Sequence, residues 1–540
     1  MAIILLIFLT TISATRFDRD FEFSRNLDIF HSVMRELDLF YVDEIDPAQS
    51  ITSAIVSMLA KLDPYTSYIP ESQMEDLRLM TTGEYGGVGA MIGEVSGTVI
   101  VTDPYEGSPS EMAGIRPGDR ILRIDNRSVQ GKSSEEISML MKGQVGTPVE
   151  LTVERPFTGE TITFKLVRQN IRLPNVAYYS KQGSTGYIRQ TGFTEGAGAE
   201  VKRAFEELKK LGINQLVLDL RGNPGGLLLE AVEVMNIFVA RNQEIVSTRG
   251  KNKQWESTYY TRNEPVDTLI PVAVLVNSSS ASAAEIVAGA MQDLDRGVVL
   301  GMRTFGKGLV QTTRDLSYRA KLKLTTGKYY IPSGRCIQAL DYTHRRSDGS
   351  VGKVPDSLVN AFKTKNGRIV YDGGGVSPDL QVEPAVLSKL ASNLVYRYKI
   401  FDYANRYRNT REAVPDLGSF RVDKAIYDDF RDFVHSGDFE YQTASEQALN
   451  ELIRRSQAER YYDSAKDLFS QLESALKPDL EKDLDLFREE ISTLLEEEIL
   501  SRYYNQRGRI EHMLKSDPAV KRAKALLSDK AERERLLGAQ

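Results

Sequence analysis

Between residues 171 and 302, apolar segments alternate between the lengths and spacings that are typical of strands and of helices. The short runs NQLVLDL, PVAVLVN and GVVLGM lack polar alternation, as strands do when both faces of their sheet are covered. Between them stand LLLEAVEVMNIFV and SAAEIVAGAMQDL, which are long enough for helices. This order of strand, helix and strand predicts a largely parallel sheet, and therefore an α/β fold.

The other parts of the sequence differ in character, so we predict a multidomain α/β protein. With 540 residues, 41% of them hydrophobic and 27% charged, the chain is long enough for several cores. Its early part has helical spacing, with a loop at LDPYTSYIP, and is followed by β-rich runs between glycine and proline turns. One helix interrupts these runs, SSEEISMLMKG at 133–143, and Ser133 and Glu136 form the pattern of a capping box at its start. The predicted segments are 1–17 (signal peptide or membrane anchor), 18–80 (helical), 81–170 (mostly β), 171–384 (α/β core) and 385–540 (helical extension).

The first residues, MAIILLIFLTTISATRF, form an apolar run that is short for a membrane span and suited to a signal peptide. A basic stretch before the run is missing, so an uncleaved anchor, a misassigned start and a plain buried helix stay open. We expect an exported protein, located in the periplasm or cell envelope.

The extension carries apolar positions on two helical faces. These are Leu387, Leu390, Leu394 and Phe401 on one face, and Leu484, Phe487, Ile491 and Leu494 on the other. Such faces predict helices that dock on a neighbouring surface, and a homo-oligomer formed through them is one expectation.

Charge and composition exclude several classes of function. The net charge of −6 comes from interspersed acids and bases, which disfavours a nucleic-acid partner. Four scattered histidines (His31, His344, His435 and His512) and the single Cys336 supply no clustered zinc ligands and no internal disulfide. We expect no metal and no cofactor.

Ser282 stands between the strand PVAVLVN and the helix AAEIVAGAMQ. A hydroxyl at this place lies at the positive end of a helix, beside free N–H groups, and suits acyl chemistry. Ser282 and Glu285 also form the pattern of a capping box, so a purely structural role is open from this stretch alone.

Lys307, in TFGKG, is the candidate base, because no histidine lies near Ser282 in the sequence. A lysine accepts a proton only when it is neutral, which requires a site that disfavours charge. The alternative is a phosphate-binding loop, Gly301-x4-Gly306-Lys307. That reading fails because Gly308 replaces the magnesium-binding Ser or Thr, and because the following residues predict a strand.

DLRGNPGG follows the strand that ends at 220. Two adjacent glycines after a proline permit a backbone that points N–H groups into a cavity, as an oxyanion hole requires. Gly225 or Gly226 would donate one N–H and Ala283 the other, although NPGG taken alone is also an ordinary turn.

Together, NSSSASAAEIVAGAMQD, TFGKGLVQ, DLRGNPGG and YYIPSGRCIQ resemble the C-terminal processing peptidases, also called tail-specific proteases, over about residues 20–384. This resemblance implies a crotonase-like α/β serine peptidase core, with Ser282 as nucleophile, Lys307 as general base and Gln311 supporting the lysine. Four residues of straight strand would separate Gln311 from Lys307 by about 13 Å, so the resemblance also requires a bend. Gly306 and Gly308 permit one.

Residues 81–170 resemble the PDZ module of the same family. YGGVGAMI is similar to its carboxylate-binding loop, with Gly86, Gly87, Val88 and Gly89 as the peptide-binding residues, and GSPSEMAGIRPGDRILRIDN is similar to the PDZ core. Such a module binds a chain terminus by strand addition. The expected partners are proteins or peptides with free, apolar C-termini.

The resulting prediction is an exported serine endopeptidase that captures C-terminal tails and cleaves near the C-terminus or degrades the protein. A non-catalytic PDZ adaptor on a decayed peptidase core is the alternative. The presence of Ser282, Lys307 and Gln311 together argues against decay.

Overall fold

The computed structural model describes residues 2–95, 97–346, 348–411, 413–437, 439–441 and 443–538. For residues 2–19 and 356 it describes the backbone alone, so the side chains of the predicted leader at 1–17 lie outside the described part. The chain divides into two compact units, residues 1–72 with 311–326, and residues 73–310 with 327–540.

The first unit is mainly helical. It contains the helices Ala2–Phe40 and Pro47–Ala60, the strand Ser67–Ile69 and the residues 311–326. Asp46 caps the second helix, since its Oδ1 accepts the N–H groups of Ala48 (2.8 Å) and Gln49 (3.2 Å). The segment predicted as a loop at 62–70 contributes a strand, which pairs antiparallel with residues 321–323.

The second unit begins with a small β domain. Its main sheet has the strand order Ala90–Val95, Thr98–Pro104, Arg120–Ile124, Pro148–Glu154 and Thr161–Val167, with Arg127–Ser128 beside the third strand. A separate pair is formed by Glu84–Gly87 and Gln169–Arg172, and the helices are Pro109–Met112 and Ser134–Met141. The capping box predicted for the helix at 133–143 is confirmed, with Ser133 and Glu136 as its two members.

The α/β core has six strands in the order Val176–Gln182, Thr185–Gln190, Gln215–Asp219, Val272–Val276, Val298–Gly301 and Leu380–Gln381. Only the first pair is antiparallel, so the predicted parallel sheet is present. The helices Ala197–Lys210, Leu228–Asn236 and Ala283–Asp293 pack on one face. Further strands are Glu244–Arg249, Ser257–Tyr260, Leu309–Asp315, Lys321–Tyr330, Leu340–Arg345, Val351–Lys353, Ala361–Lys363 and Ile369–Tyr371.

The C-terminal region is helical, as expected. Its helices are Lys389–Tyr396, Lys399–Thr410, Lys424–His435, Ala444–Ala458, Tyr462–Leu476, Leu480–Leu486, Arg488–Ser516, Pro518–Ser528 and Lys530–Leu536. The two predicted apolar faces share one core, in which Leu390, Leu394, Leu484 and Ile491 are buried and Leu387, Phe487 and Leu494 partly so.

The last part of this region covers the second face of the core sheet. Val520, Ala523 and Leu526 of the helix Pro518–Ser528 pack against strand residues that include Val217 and Leu275. Helices from distant parts of the chain thus cover both faces of the sheet, and this explains why its strands are apolar on both faces. Among the described residues, no helix has the length and apolar character needed to span a membrane.

Candidate active site

Ser282 lies in the turn that joins the strand Val272–Val276 to the helix Ala283–Asp293. Its backbone has φ 55° and ψ −117°, a conformation that costs a residue with a side chain on the order of 1–3 kcal/mol. A sharp turn of this kind between strand and helix lifts a serine hydroxyl above the sheet. The surrounding structure holds the turn: Ser280 Oγ accepts the Asn277 N–H (2.9 Å) and donates to the Leu220 carbonyl (2.9 Å).

Glu285 completes the capping box predicted with Ser282. Its Oε2 accepts the Ser282 N–H at 2.9 Å, and its own N–H donates to the Ser282 carbonyl at 2.8 Å. The structural role is therefore confirmed, and it leaves open what else this carboxylate does.

Glu285 also binds the segment that carries Lys307. Oε1 accepts hydrogen bonds from Thr304 Oγ1 (2.6 Å) and the Gly306 N–H (2.7 Å), and Oε2 accepts the Lys307 N–H (2.9 Å). Because one oxygen accepts the N–H groups of both Ser282 and Lys307, the backbones of these two residues lie two hydrogen bonds apart. The spacing of 22 residues between Glu285 and Lys307 gave no local signal for this role.

The Glu285 side chain is fully buried, and burial raises its pKa to about 7 even though its hydrogen bonds act to lower it. Four donors fill the four acceptor positions of an ionised carboxylate. A protonated Glu285 would give up one of these four bonds, and this loss opposes the effect of burial on the pKa.

The backbone of Lys307 is held from its other side by Tyr329, which is buried. The Tyr329 hydroxyl lies 2.5 Å from the Lys307 carbonyl oxygen and 3.2 Å from that of Ser282. Gly306 has φ +87°, and a Cβ there would lie 2.3 Å from the Cβ of Ala339. The bend before Lys307 therefore requires glycine. The residues after it form the strand Leu309–Asp315, as the sequence predicts.

The glycine loop lies against Ser282. A Cβ on Gly225 would be 2.7 Å from the Ser282 Cβ and 2.9 Å from the Ala283 nitrogen, so a side chain does not fit there. The Gly225 N–H, however, donates to Asn223 Oδ1 at 2.8 Å. The β-bridge between Phe193 and Gly226 consists of two hydrogen bonds: the Phe193 N–H donates to the Gly225 carbonyl, and the Leu227 N–H donates to the Phe193 carbonyl. The Gly226 N–H takes part in neither bond.

Asn223 is a residue of this site that the sequence analysis missed. It is fully buried, its side-chain amide donates to the Gln190 carbonyl (3.0 Å), and its carbonyl accepts the Ala281 N–H (2.9 Å). It thus links the glycine loop to the residue before Ser282. An asparagine inside a Gly-Pro turn is the signal that could have drawn attention to it, because Asn side chains bind the backbone two residues on.

Gln311 belongs to the first unit. There its Nε2 donates to Thr325 Oγ1 (3.3 Å), and Thr325 Oγ1 donates to the buried Asp63 (3.1 Å). Asp63 also accepts the Thr66 N–H at 2.8 Å. The loop 62–66 thus holds Thr325, to which Gln311 donates. Support of Lys307 by Gln311 stays a prediction.

In the β domain, the predicted peptide-binding loop is only partly a loop, since Gly86 and Gly87 lie in the paired strand Glu84–Gly87. Three of the four predicted residues have their carbonyls bonded to the rest of the domain. The carbonyl of Gly86 accepts the Gly143 N–H (3.0 Å), that of Val88 accepts the Ser110 N–H (2.9 Å), and that of Gly89 accepts Ser108 Oγ (2.8 Å). Val88 is itself part of the domain core. The strand Ala90–Val95, at the edge of the sheet, follows the loop and contacts the helix Ser134–Met141.

No group of three or more His, Cys, Asp or Glu side chains that could hold a metal ion occurs in the described part of the chain.

Comparisons with known proteins identify three matching family profiles. The chain matches the family profiles described as peptidase family S41 (residues 184–344), PDZ domain (100–155) and probable PDZ-protease, C-terminal helical domain (390–527).

Curated relatives give the same result. The chain is 38% identical over 320 residues to the carboxy-terminal-processing protease of Bartonella bacilliformis, covering 58% of this chain and 72% of that one. It is 36% identical over 315 residues to a probable CtpA-like serine protease of Staphylococcus aureus, covering 58% of this chain and 62% of that one. Among solved structures, the photosystem II D1 C-terminal processing protease is 33% identical, with a TM-score of 0.36, covering 66% of this chain and 87% of that one.

Proposed function

Because this chain belongs to the carboxy-terminal-processing proteases of peptidase family S41, we propose that its serine peptidase chemistry is carried by Ser282 and Lys307. The observation that carries this proposal is the Glu285 oxygen that accepts the N–H groups of both residues. A carboxylate that ties two distant segments together in this way fixes a nucleophile beside its base. The non-catalytic adaptor has no such observation in its favour.

In the proposed reaction, Ser282 Oγ attacks the scissile carbonyl carbon while neutral Lys307 Nζ takes its proton. The carbonyl electron pair moves onto the oxygen, where the N–H groups of Gly226 and Ala283 stabilise it. The C–N bond then breaks, and the leaving amine takes the proton from Lys307. Water then attacks the acyl carbon while Lys307 accepts its proton, and Lys307 gives that proton to Ser282 Oγ as the ester bond breaks. Gln311 orients Lys307.

Gly225 has a different part in this proposal from Gly226. The Gly225 N–H is bound to Asn223, so Gly226 supplies the hydrogen-bond donor. Gly225 is needed because a side chain at its position would collide with Ser282. The largely parallel sheet supports a crotonase-like architecture for residues 171–384, with 18–80, 81–170 and 385–540 as the other segments.

A fluorophosphonate probe tests the catalytic role directly. We expect it to label wild-type protein at Ser282 and to abolish cleavage of an unfolded protein, because the probe forms a stable adduct with an activated serine. Ser282→Ala should give neither label nor cleavage, while Ser279→Ala, in the same turn, should be labelled normally. A folded wild-type protein that is not labelled and binds C-terminal peptides without cleaving them would favour the adaptor.

The β domain is proposed to read the end of the substrate. Its PDZ profile match, the loop Gly86–Gly89 and the edge strand Ala90–Val95 support binding of a free, apolar C-terminus by strand addition. The terminal carboxylate would accept N–H groups of the loop.

Amidation of the tail tests this recognition without altering the enzyme. We expect KM for a protein with an amidated C-terminus to be about tenfold or more higher than for the free acid, since charge-assisted hydrogen bonds are lost. A short activated ester that does not reach the β domain serves as control. It should react equally well whether its own C-terminal end is free or amidated. Equal KM values for the two tails would contradict carboxylate capture. Substitution of Gly87 is less informative, because a Cβ there would lie 2.5 Å from the Tyr85 ring.

Export is proposed from the apolar run at the start of the chain, with the periplasm or cell envelope as destination. Self-association through the C-terminal helices has narrower support than the sequence suggested, since the two predicted faces pack on each other. One surface available for it is the hairpin of Ala444–Ala458 and Tyr462–Leu476, where Leu452, Leu468 and Leu472 are exposed.

A further inference from the structure

A group of buried charges lies where the glycine loop begins. Asp219, the last residue of its strand, is fully buried and accepts hydrogen bonds from Tyr187 Oη (2.7 Å), Arg189 Nη1 (2.9 Å) and Arg221 Nη2 (2.6 Å). The Arg221 N–H also donates to Asp219, at 3.0 Å. Burial acts to raise the pKa of Asp219, but Arg221 and Arg189 outweigh it and hold the pKa below its usual value.

Arg221 reaches from this group to the far end of the chain. Its Nη2 lies 2.7 Å from Oδ2 of Asp517, and the two side chains are only 18% and 8% exposed. Asp517 Oδ1 meanwhile caps the helix Pro518–Ser528 by accepting the N–H groups of Ala519 (2.8 Å) and Val520 (3.1 Å). Oδ1 of Asp517 therefore caps the helix that covers the sheet, and Oδ2 pairs with Arg221.

The loop 221–226 has further anchors, among them the bridge of Phe193 to Gly226 described above. The Gly222 N–H donates to Asn277 Oδ1 (2.9 Å), and Asn223 makes the contacts with Gln190 and Ala281 described above. Arg221 is thus the residue of this loop whose side chain bonds both to the sheet and to the C-terminal region.

We propose that Arg221 is a positioning residue for the peptidase reaction: held between Asp219 and Asp517, it fixes the loop 221–226 and with it the Gly226 N–H. The inference rests on the proposed function, since it takes the oxyanion role of that loop as given. Transition-state donors act only within narrow distances, and a displacement of about 1 Å can cost about a hundredfold in rate. The C-terminal helical region thereby assists the reaction without touching the substrate.

Asp517→Asn is the decisive variant. Asparagine caps helices about as well as aspartate, so the helix Pro518–Ser528 keeps its cap while the charge opposite Arg221 is removed. We expect kcat for an activated ester to fall about five- to twentyfold with KM unchanged, because the donor acts in the transition state alone. The melting temperature should stay within a few degrees of wild type. Asp423→Asn, which caps the helix Lys424–His435 and accepts the Ile426 N–H, is the matched control and should leave kcat unchanged.

A double-mutant cycle adds a second readout. Arg221→Gln should lower kcat further, and adding Asp517→Asn should cause no additional loss, since both changes act through one contact. If Arg221→Gln fails to fold because Asp219 loses its partner, Asp517→Asn alone still decides. A kcat within twofold of wild type in Asp517→Asn, or a loss carried by KM, would overturn the positioning role.

The same samples separate this inference from the proposed function. Wild-type protein that a fluorophosphonate leaves unlabelled would overturn both. Labelled wild type with an unaffected Asp517→Asn would overturn the role of Arg221 alone.

Discussion

Lys307→Ala is expected to reduce the rate of acylation by about four orders of magnitude while the protein stays folded. Ser282 would lose the group that accepts its proton, and the remaining oxyanion donors and substrate binding sustain only a residual rate. Lys307→Arg should be equally inactive, because a guanidinium stays protonated at every accessible pH. The measurement is the single-turnover burst with an activated ester, together with circular dichroism to establish folding.

Two sets of controls accompany this experiment. Lys202→Ala, on an exposed part of the helix Ala197–Lys210, should behave as wild type. Variants of each of the four histidines should also retain the burst. A well-folded Lys307→Ala protein that acylates at a rate near wild type would exclude the Ser–Lys mechanism.

Glu285→Gln is expected to lower kcat by a hundredfold or more. The amide keeps the shape of the side chain, but its NH₂ group would face two of the four donors that the carboxylate now binds. The segments that carry Ser282 and Lys307 would then separate. Thr304→Ser keeps the hydroxyl donor and serves as control, with activity close to wild type. Full activity in Glu285→Gln would mean that the carboxylate is a helix cap and nothing more.

Protonation of Glu285 should increase the free energy of unfolding. Its folded-state pKa of about 7 lies above the ordinary value of 4.5, so the folded state binds this proton more tightly than the unfolded chain. The free energy of unfolding should therefore decrease as pH rises from about 4.5 to 7, by on the order of 3 kcal/mol from this group. Urea unfolding across this range should show the decrease in wild type, and Glu285→Gln should lack that component. An identical pH dependence in both proteins would contradict the buried ionisation.

The sequence predicted those parts of the fold that depend on local pattern. Apolar runs without alternation marked the sheet, and the capping boxes at Ser133 and Ser282 marked the starts of two helices. The bend at Gly306 was also predictable, because glycine is the residue that tolerates such a conformation.

Contacts between distant segments were not predictable in this way. Glu285 carries the pattern of a cap, and its bonds to Thr304, Gly306 and Lys307 exist only after the sheet has brought the two turns together. The apolar side of the helix Pro518–Ser528 indicated burial but not against which surface, since periodicity describes one partner of a contact. The engagement of the Gly225 N–H by Asn223 likewise depends on a turn conformation that NPGG alone does not specify.

The helix that covers the second face of the core sheet is synthesised after the strands it covers and after Ser282 and Lys307. Ser282 and Lys307 leave the ribosome well before it, on a nascent chain whose sheet is still bare on one side. A ribosome that stalls, or a message that is truncated, would thus release a polypeptide that contains both reactive side chains but lacks the surface that completes their support.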